Sequence, residues 1–393
     1  MAPSHRPAVS ANRDVLAQRW IVGVLALLGI VVAIALALSW PAHPDPAGNR
    51  LHGEVVGATV QSVAQGECGS DGSCVSNVVA LLTSGPDRHQ VTMLTLSPGP
   101  TSPRLTAGDH IRLARTVQSG QTLYEFDDID RGRPLLALCL AFLLLALLVG
   151  RWRGVAAIAG LAFTGLLLVT YVVPALVDGH SPLLVALLAG SAITLVVLPL
   201  AHGLSSATGV AMVGTLVGMS VAAVLAAALV GSLRITGLSS EEFATLSLQG
   251  SHSTVSGLFL AGAVIGALGV LNDVTVTQAS AVAELSGGAA GRREAFASAM
   301  RIGRDHIAST VYSLVLAYAG SALPLLLLFS LSGQSTMDSL TSDALAPEIA
   351  SSLIGSIALV LVVPLTTAGA AAIHRPRRSG RPVTALAEVR PER

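Results

Sequence analysis

One stretch of the chain concentrates the side chains able to do chemistry. Asp273, Thr277, Ser280 and Glu284 recur at i, i+4, i+7 and i+11, the spacing that lines one face of a helix. Asn272 and Gln278 flank that stripe. Carboxylate and hydroxyl oxygens are the donors that hard cations take, and a carboxyl in an apolar setting can carry a proton. Together the six residues form a candidate polar pathway. The competing account ends the apolar helix at Leu271 and makes Asp273 the cap of a wet amphipathic helix.

A second group follows at Arg301-Ile-Gly-Arg304-Asp305-His306, with Tyr312 and Tyr318 beyond it. Arg304, Asp305 and His306 form a candidate cytoplasmic gate, with Arg304 paired to Glu284 or Asp273. The plainer account is a basic flank with Asp305 as a helix cap. Cys68 and Cys74 bracket a Gly/Ser-rich loop and make a candidate disulfide. Asp127, Asp128 and Asp130 could bind a cation, but such a run is more often a solvated linker. The third cysteine, Cys139, lies in an apolar run and reads as packing. Gly203-Leu-Ser205 resembles a nucleophile turn, yet His180, His202, His252 and His306 all fall near the ends of apolar runs, and no His-Glu-x-x-His pair occurs. No catalytic, cofactor-binding or metal set is expected, and the chain reads as no enzyme.

The elements that must position these groups follow from composition. Of 393 residues, 52% are hydrophobic and 12% charged, with mean hydropathy +0.69, against about a quarter charged in a soluble globule. The 23 basic and 23 acidic residues cancel, which leaves no basic field for nucleic acid. Every basic residue is arginine, so a Walker-type phosphate loop and a Schiff-base lysine are excluded. A lipid bilayer is the expected partner.

A bilayer core of about 30 Å needs roughly 20 apolar helical residues. Such runs are Ile21–Ser39, Pro134–Gly150, Gly154–Val173, Pro182–Leu200, Gly209–Val230, Val255–Leu271, Ala308–Leu331 and Ile349–Ile373. The expected fold class is an α-helical polytopic membrane protein of about eight transmembrane helices. The first run is longer than a signal-peptide core and reads as an uncleaved anchor. From Val255 to Leu285 a helix would measure about 46 Å, so it must tilt, break near Asn272, or project from the membrane. Gly214-xxx-Gly218 and Gly262-xxx-Gly266 read as close helix packing. Pro174, Pro199, Pro324 and Pro364 mark kinks or helix ends.

Arginines set the orientation. Arg6, Arg13 and Arg19, then Arg151 and Arg153, then Arg292, Arg293, Arg301 and Arg304, then Arg375, Arg377 and Arg378 all fall on alternate connections. The turn around His202 is a neutral exception, and the opposite connections carry Asp178, Glu241, Glu242, Asp338, Asp343 and Glu348, with Arg234 as their one short-loop arginine. Both termini are therefore expected in the cytoplasm, with residues 1–20 and 374–393 as tails and 21–39 as the anchor. Residues 41–133 then form an extracytoplasmic β-rich domain between helices one and two. Its strands are expected at Glu54–Val63, Val75–Thr83, Gln90–Leu96, His110–Val117 and Thr122–Phe126, in a small barrel or sandwich of the oligonucleotide-binding-like type.

Asn272-Asp273, Ser280 and Glu284, then Gly303-Arg304-Asp305-His306, then Ala317-Tyr318 with Gly320, Pro324 and its leucine run, resemble the YibE/F family of bacterial membrane proteins. The resemblance covers roughly residues 130 to 372, leaving a seven-helix bundle at 134–373 behind the outer domain. It implies a multi-pass protein of the bacterial plasma (inner) membrane, and maps the family's polar positions onto Asp273, Ser280, Glu284, Arg304 and Asp305. It supplies no reaction or substrate. The residues suggest a gradient-driven or channel-like permease for an ion or small solute. The alternative is a non-transporting membrane scaffold or sensor whose extracytoplasmic β domain binds a partner and whose helices assemble with a second copy or another membrane protein.

Overall fold

A computed structural model describes residues 8–41, 54–68, 74–96, 103–118, 121–235, 255–286, 291–333 and 335–373, with the side chains of 8–19, 65–68, 74, 118 and 255 excepted. Arg6, the prolines at 44 and 46, Glu241, Glu242, His252 and the arginines beyond Ile373 lie outside the described residues. The chain divides into two compact units, Met1–Ala42 with Trp152–Arg393, and His43–Arg151.

The smaller unit holds β1 (Glu54–Cys68), β2 (Cys74–Leu82), β3 (Val91–Leu96), β4 (His110–Gln118) and β5 (Gln121–Ile129). Each expected strand is present, and all five join one antiparallel sheet in the order β3-β2-β1-β4-β5. A single sheet makes this a barrel rather than a sandwich. The outermost strands, β3 and β5, approach each other, so the sheet curls into a half-barrel. Register shifts between Val60 and Ser62 and between Arg112 and Leu113 add the local twist that curling needs. Alternation fixes the inside: Val56, Ala58 and Val60 of β1 are buried with Val78 and Ala80 of β2 and Ile111 and Leu113 of β4. At the edge of this core, Asp87 Oδ2 accepts from Tyr124 Oη and, at 2.8 Å, from Arg115 Nε, tying the β2–β3 turn to β4 and β5. The acidic run is occupied in the same way. Asp128 pairs with Arg112 at 3.1 Å and Arg131 at 2.9 Å, and Asp130 Oδ1 accepts from the Gly132 amide.

The β1–β2 register sets Cys68 opposite Cys74. The expected disulfide falls on side chains outside the described residues.

The remaining elements are helical: α1 (Ala8–Leu38), α2 (Gly132–Leu167), a π-helix (Leu168–Val172), α3 (Val173–Val177), α4 (Pro182–His202), α5 (Ser206–Leu233), α6 (Val255–Ser286), α7 (Arg292–Ser321), α8 (Leu323–Leu331), α9 (Thr336–Leu340) and α10 (Ala346–Ile373). Among the described residues, six stretches are long and apolar enough to cross a membrane, or seven if the α7–α8 pair, bent by 57°, counts as one. The expected second and third runs merge into the single stretch Gly132–Val177. They remain separable, because Arg151 interrupts α2 with φ 51° and ψ −129°, a left-handed conformation that costs a side-chain-bearing residue energy. Within their own unit, residues 132–150 contain no buried side chain, and Cys139 among them is exposed there rather than packed.

The core of the larger unit is built by α4, α5, α6 and α10, with α1 and α7 packed around it. Gly214 and Gly218 of α5 do make a notch. A Cβ on Gly218 would lie 2.6 Å from Val362 Cγ2 of α10 and 2.9 Å from Leu271 of α6, and one on Gly214 would strike Thr366 Oγ1. Gly262 and Gly266 do not. Nothing lies within 4 Å of Gly262, and Gly266 meets only the Tyr318 hydroxyl. The prolines serve both expected roles: Pro174 and Pro324 start α3 and α8, while Pro199 and Pro364 sit inside α4 and α10. Ser205 is the N-cap of α5, its Oγ accepting from the Thr208 amide at 3.1 Å, which accounts for the Gly203-Leu-Ser205 turn.

Candidate functional site

Helix α6 runs unbroken from Val255 to Ser286, so neither a break near Asn272 nor an end at Leu271 occurs. Asp273 and Asp305 both lie in helix interiors and cap nothing. Two polar rows run along α6, roughly half a turn apart. The outer row holds Asp273, Ser280 and Glu284, all exposed, continuing Gly262, Gly266 and Gly269 on the same open face. Thr277 is half-buried, its hydroxyl donating to the Asp273 carbonyl at 2.8 Å. Asn272 is half-buried, with its Oδ1 shut off from solvent and unpartnered.

The inner row is Thr275 and Gln278, neither with any exposed surface. Thr275 Oγ1 lies 2.7 Å from Thr215 Oγ1 of α5. The Thr367 hydroxyl of α10 lies 3.0 Å from Gln278 Oε1 and 2.6 Å from the Val363 carbonyl oxygen, one hydrogen between two acceptors. Gln278 Nε2 has no partner, and neither has Thr366 Oγ1 beside it on α10. A buried donor left unpaired costs about 1–3 kcal/mol, so this cluster is polar at the expense of stability.

Helix α7 touches one member of each row. Its Gly303 sits against Gln278, where a Cβ would lie 3.0 Å from both terminal amide atoms. One turn on, His306 Nε2 approaches Asp273 Oδ2 at 3.5 Å. The Asp273 side chain is 70% exposed and that of His306 27%, while His306 Nε2 itself is shut off from solvent without a hydrogen bond. Among the described residues the ion-pair partner of Asp273 is thus His306, not Arg304; Arg304 and Asp305 point to the exposed side of α7. Further along, Tyr318 of α7 and Glu348 of α10 border a cleft of about 250 Å³ that reaches Gly262.

The structure therefore brings Asp273 to His306 and Gln278 to Gly303 along one seam, and leaves Ser280, Glu284, Arg304 and Asp305 on open faces. Thr215, Thr275, Thr366 and Thr367 join the cluster without having stood out in the sequence. A threonine in an apolar helix can satisfy itself on its own i−4 carbonyl, so its type alone carries no mark. Only the α5 glycine notch, which must admit another helix at that level, hinted at where they meet. Chemically the seam offers one carboxyl, one imidazole, amides and hydroxyls. Among the described residues no group of three or more His, Cys, Asp or Glu side chains could hold a metal ion.

The family model described as YibE/F-like protein matches residues 138–376. No curated protein and no solved structure matches the chain.

Proposed function

The chain belongs to the YibE/F-like protein family, and from that premise we propose that it is a multi-pass protein of the bacterial plasma membrane acting as a permease for an ion or small solute. Eight spans result when Gly132–Val177 is divided at Arg151 and α7–α8 is counted as one. The undivided stretch, 46 residues long, would measure about 69 Å, more than twice the bilayer core of about 30 Å. With the arginine bias as the guide, both termini are cytoplasmic and the β half-barrel lies outside. The gradient-driven or channel-like character of the reading rests on the lack of any nucleotide-binding loop.

The observation that carries the reading is the α6–α7 seam. Helices α4 and α5 contain no Asp, Glu or Arg and α10 has only Glu348 in its first turn, whereas α6 and α7 bring Asp273 within 3.5 Å of His306. On the reading that this seam lies within the bilayer, such a pair is of the kind that marks ion and proton paths. The test is current recording from proteoliposomes on a supported membrane after jumps of H⁺, Na⁺, K⁺ or Mg²⁺. The reading expects a current above that of protein-free vesicles, abolished by Asp273→Asn. Traces matching empty vesicles for every ion would remove it.

The scaffold reading draws on a different feature, the run 132–150, whose side chains are not buried within their own unit and would offer a surface to a second copy or to another membrane protein. Crosslinking through Cys139 in native membranes tests it: a defined adduct supports assembly, and monomer alone removes it.

A further inference from the structure

Asp273 and His306 differ in surroundings in a way that the permease reading does not require. The carboxylate is open, while the Nε2 atom facing it is closed off and has no hydrogen bond. Across the seam the next polar group inward is Gln278, whose Nε2 is also unpartnered and lies against Gly303, one turn from His306. A buried ring nitrogen beside an open carboxylate forms a step between the outer polar row and the buried one. We propose that Asp273 and His306 form one proton-binding site, sharing a proton that enters from the open side of α6.

A proton suits this pair better than a metal cation. Hard cations gather six or more oxygen ligands, and here one of the two groups is an imidazole nitrogen. Transfer is balanced within the pair. The Nε2–H bond of a charged imidazole breaks, an O–H bond forms at Asp273 Oδ2, and imidazolium with carboxylate becomes imidazole with carboxylic acid. The 3.5 Å separation exceeds a made hydrogen bond by a few tenths of an ångström, an approach that a small shift of α7 on α6 supplies. Imidazole changes charge in the range of about pH 5 to 8, and the attraction between the two helices changes with it. Few other charges bear on the site. Glu284 lies on α6, and Arg301, Arg304, Asp305 and Tyr312 lie on α7. Helix α5 has no titratable residue, α4 has only His202 at its end, and α10 has only Glu348 in its first turn.

The inference rests on the membrane placement of the seam, and its test is independent of transport. Infrared pH-difference spectra of the full chain in lipid vesicles follow the protonated carboxyl band, and ¹⁵N-histidine spectra of the same wild-type sample follow the ring. Groups coupled by more than about one pK unit titrate as a pair. The expected result is a band lost in Asp273→Asn, a midpoint moved by at least about one pH unit in His306→Gln, and two steps in the His306 curve. Ser280→Ala leaves all three unchanged. A carboxyl midpoint indifferent to His306→Gln, with a single-step ring titration in the wild type, overturns the shared site. Coupled titration in a protein that carries no current removes the permease reading and leaves the proton site standing.

Discussion

Gly303 of α7 touches the amide of Gln278 so closely that one added carbon would lie 3.0 Å from both Nε2 and Oε1, and 2.9 Å from Val363 Cγ1 on α10. Three helices converge there on a residue type that has no side chain to move aside. The level of the seam at which α7 can cross α6 is set by that contact, and with it the approach of His306 to Asp273.

Gly303→Ala therefore overpacks the crossing, at a cost of about 1–3 kcal/mol. The expected outcome is a lowered thermal midpoint in detergent, together with a changed His306 spectrum. An unchanged midpoint would show that α7 rides freely on α6.

Gln278→Leu and Gln278→Ala part company. Leucine removes the unpaired donor and keeps the volume, and Thr367 retains the Val363 carbonyl, so Leu is expected within about 1 kcal/mol of wild type or above it. Alanine leaves a cavity and is expected to cost roughly 2 kcal/mol or more. Equal losses for both would mean that the amide contributes to stability. Chemical or thermal denaturation of the two variants side by side reads the difference.

The two glycine pairs respond in opposite directions. Gly218→Ala drives a methyl group into Val362 and Leu271 and lowers stability by about 1–3 kcal/mol. Gly262→Ala meets nothing within 4 Å and gains up to about 1 kcal/mol of helix propensity. A loss at Gly262 would reveal a partner helix on that face.

In the β half-barrel, the Tyr124 hydroxyl and then the Arg115 guanidinium hold the Asp87 carboxyl below its ordinary value. A depressed folded-state value stabilises above the unfolded one and is lost as pH falls through the folded one, so the loss begins below about pH 4. Tyr124→Phe removes the larger cause and moves the acid loss of strand amide protection to higher pH. Hydrogen exchange of β2 to β5 between about pH 5 and 2 checks it; superimposable profiles would count against the link.

Directly opposed residues of an antiparallel pair have Cα atoms about 4.5–5.5 Å apart, within the span of a disulfide. Cys68 and Cys74 are so opposed. Protein prepared under oxidising conditions is expected to take up one alkylating group without reduction, at Cys139, and three after it. Three groups taken up without reduction would exclude the bridge.

Legibility in the sequence followed the strength of the periodic signal. The strands came out within a few residues because β-branched runs alternated between buried and exposed positions, as at Val56, Ala58 and Val60. The long helices came out because apolar runs declare themselves by length. The inward face of α6 did not. Both of its rows are polar, and the one with carboxylates draws the eye although Thr275 and Gln278 are the buried pair. Partners on other helices were out of reach too: single threonines at 215, 366 and 367 look like any other residue in an apolar run until the crossing level is known. The Arg304 pairing failed for a similar reason. Asp273 and His306 are brought together by the register of two helices across a glycine, and no spacing along the chain encodes that register.

The run 132–150 of α2 has a consequence for how this chain can vary over time. Its side chains fill no gap within their own unit, so folding of that unit constrains them through their oil–water partition alone. Leucine, valine, isoleucine and phenylalanine are interchangeable there as far as the fold is concerned, whereas Gly190 of α4, with Met219 pressed against it, admits no such exchange. Drift among descendants of this sequence should gather in that segment, and any position in it that resists drift marks a contact made outside its own unit.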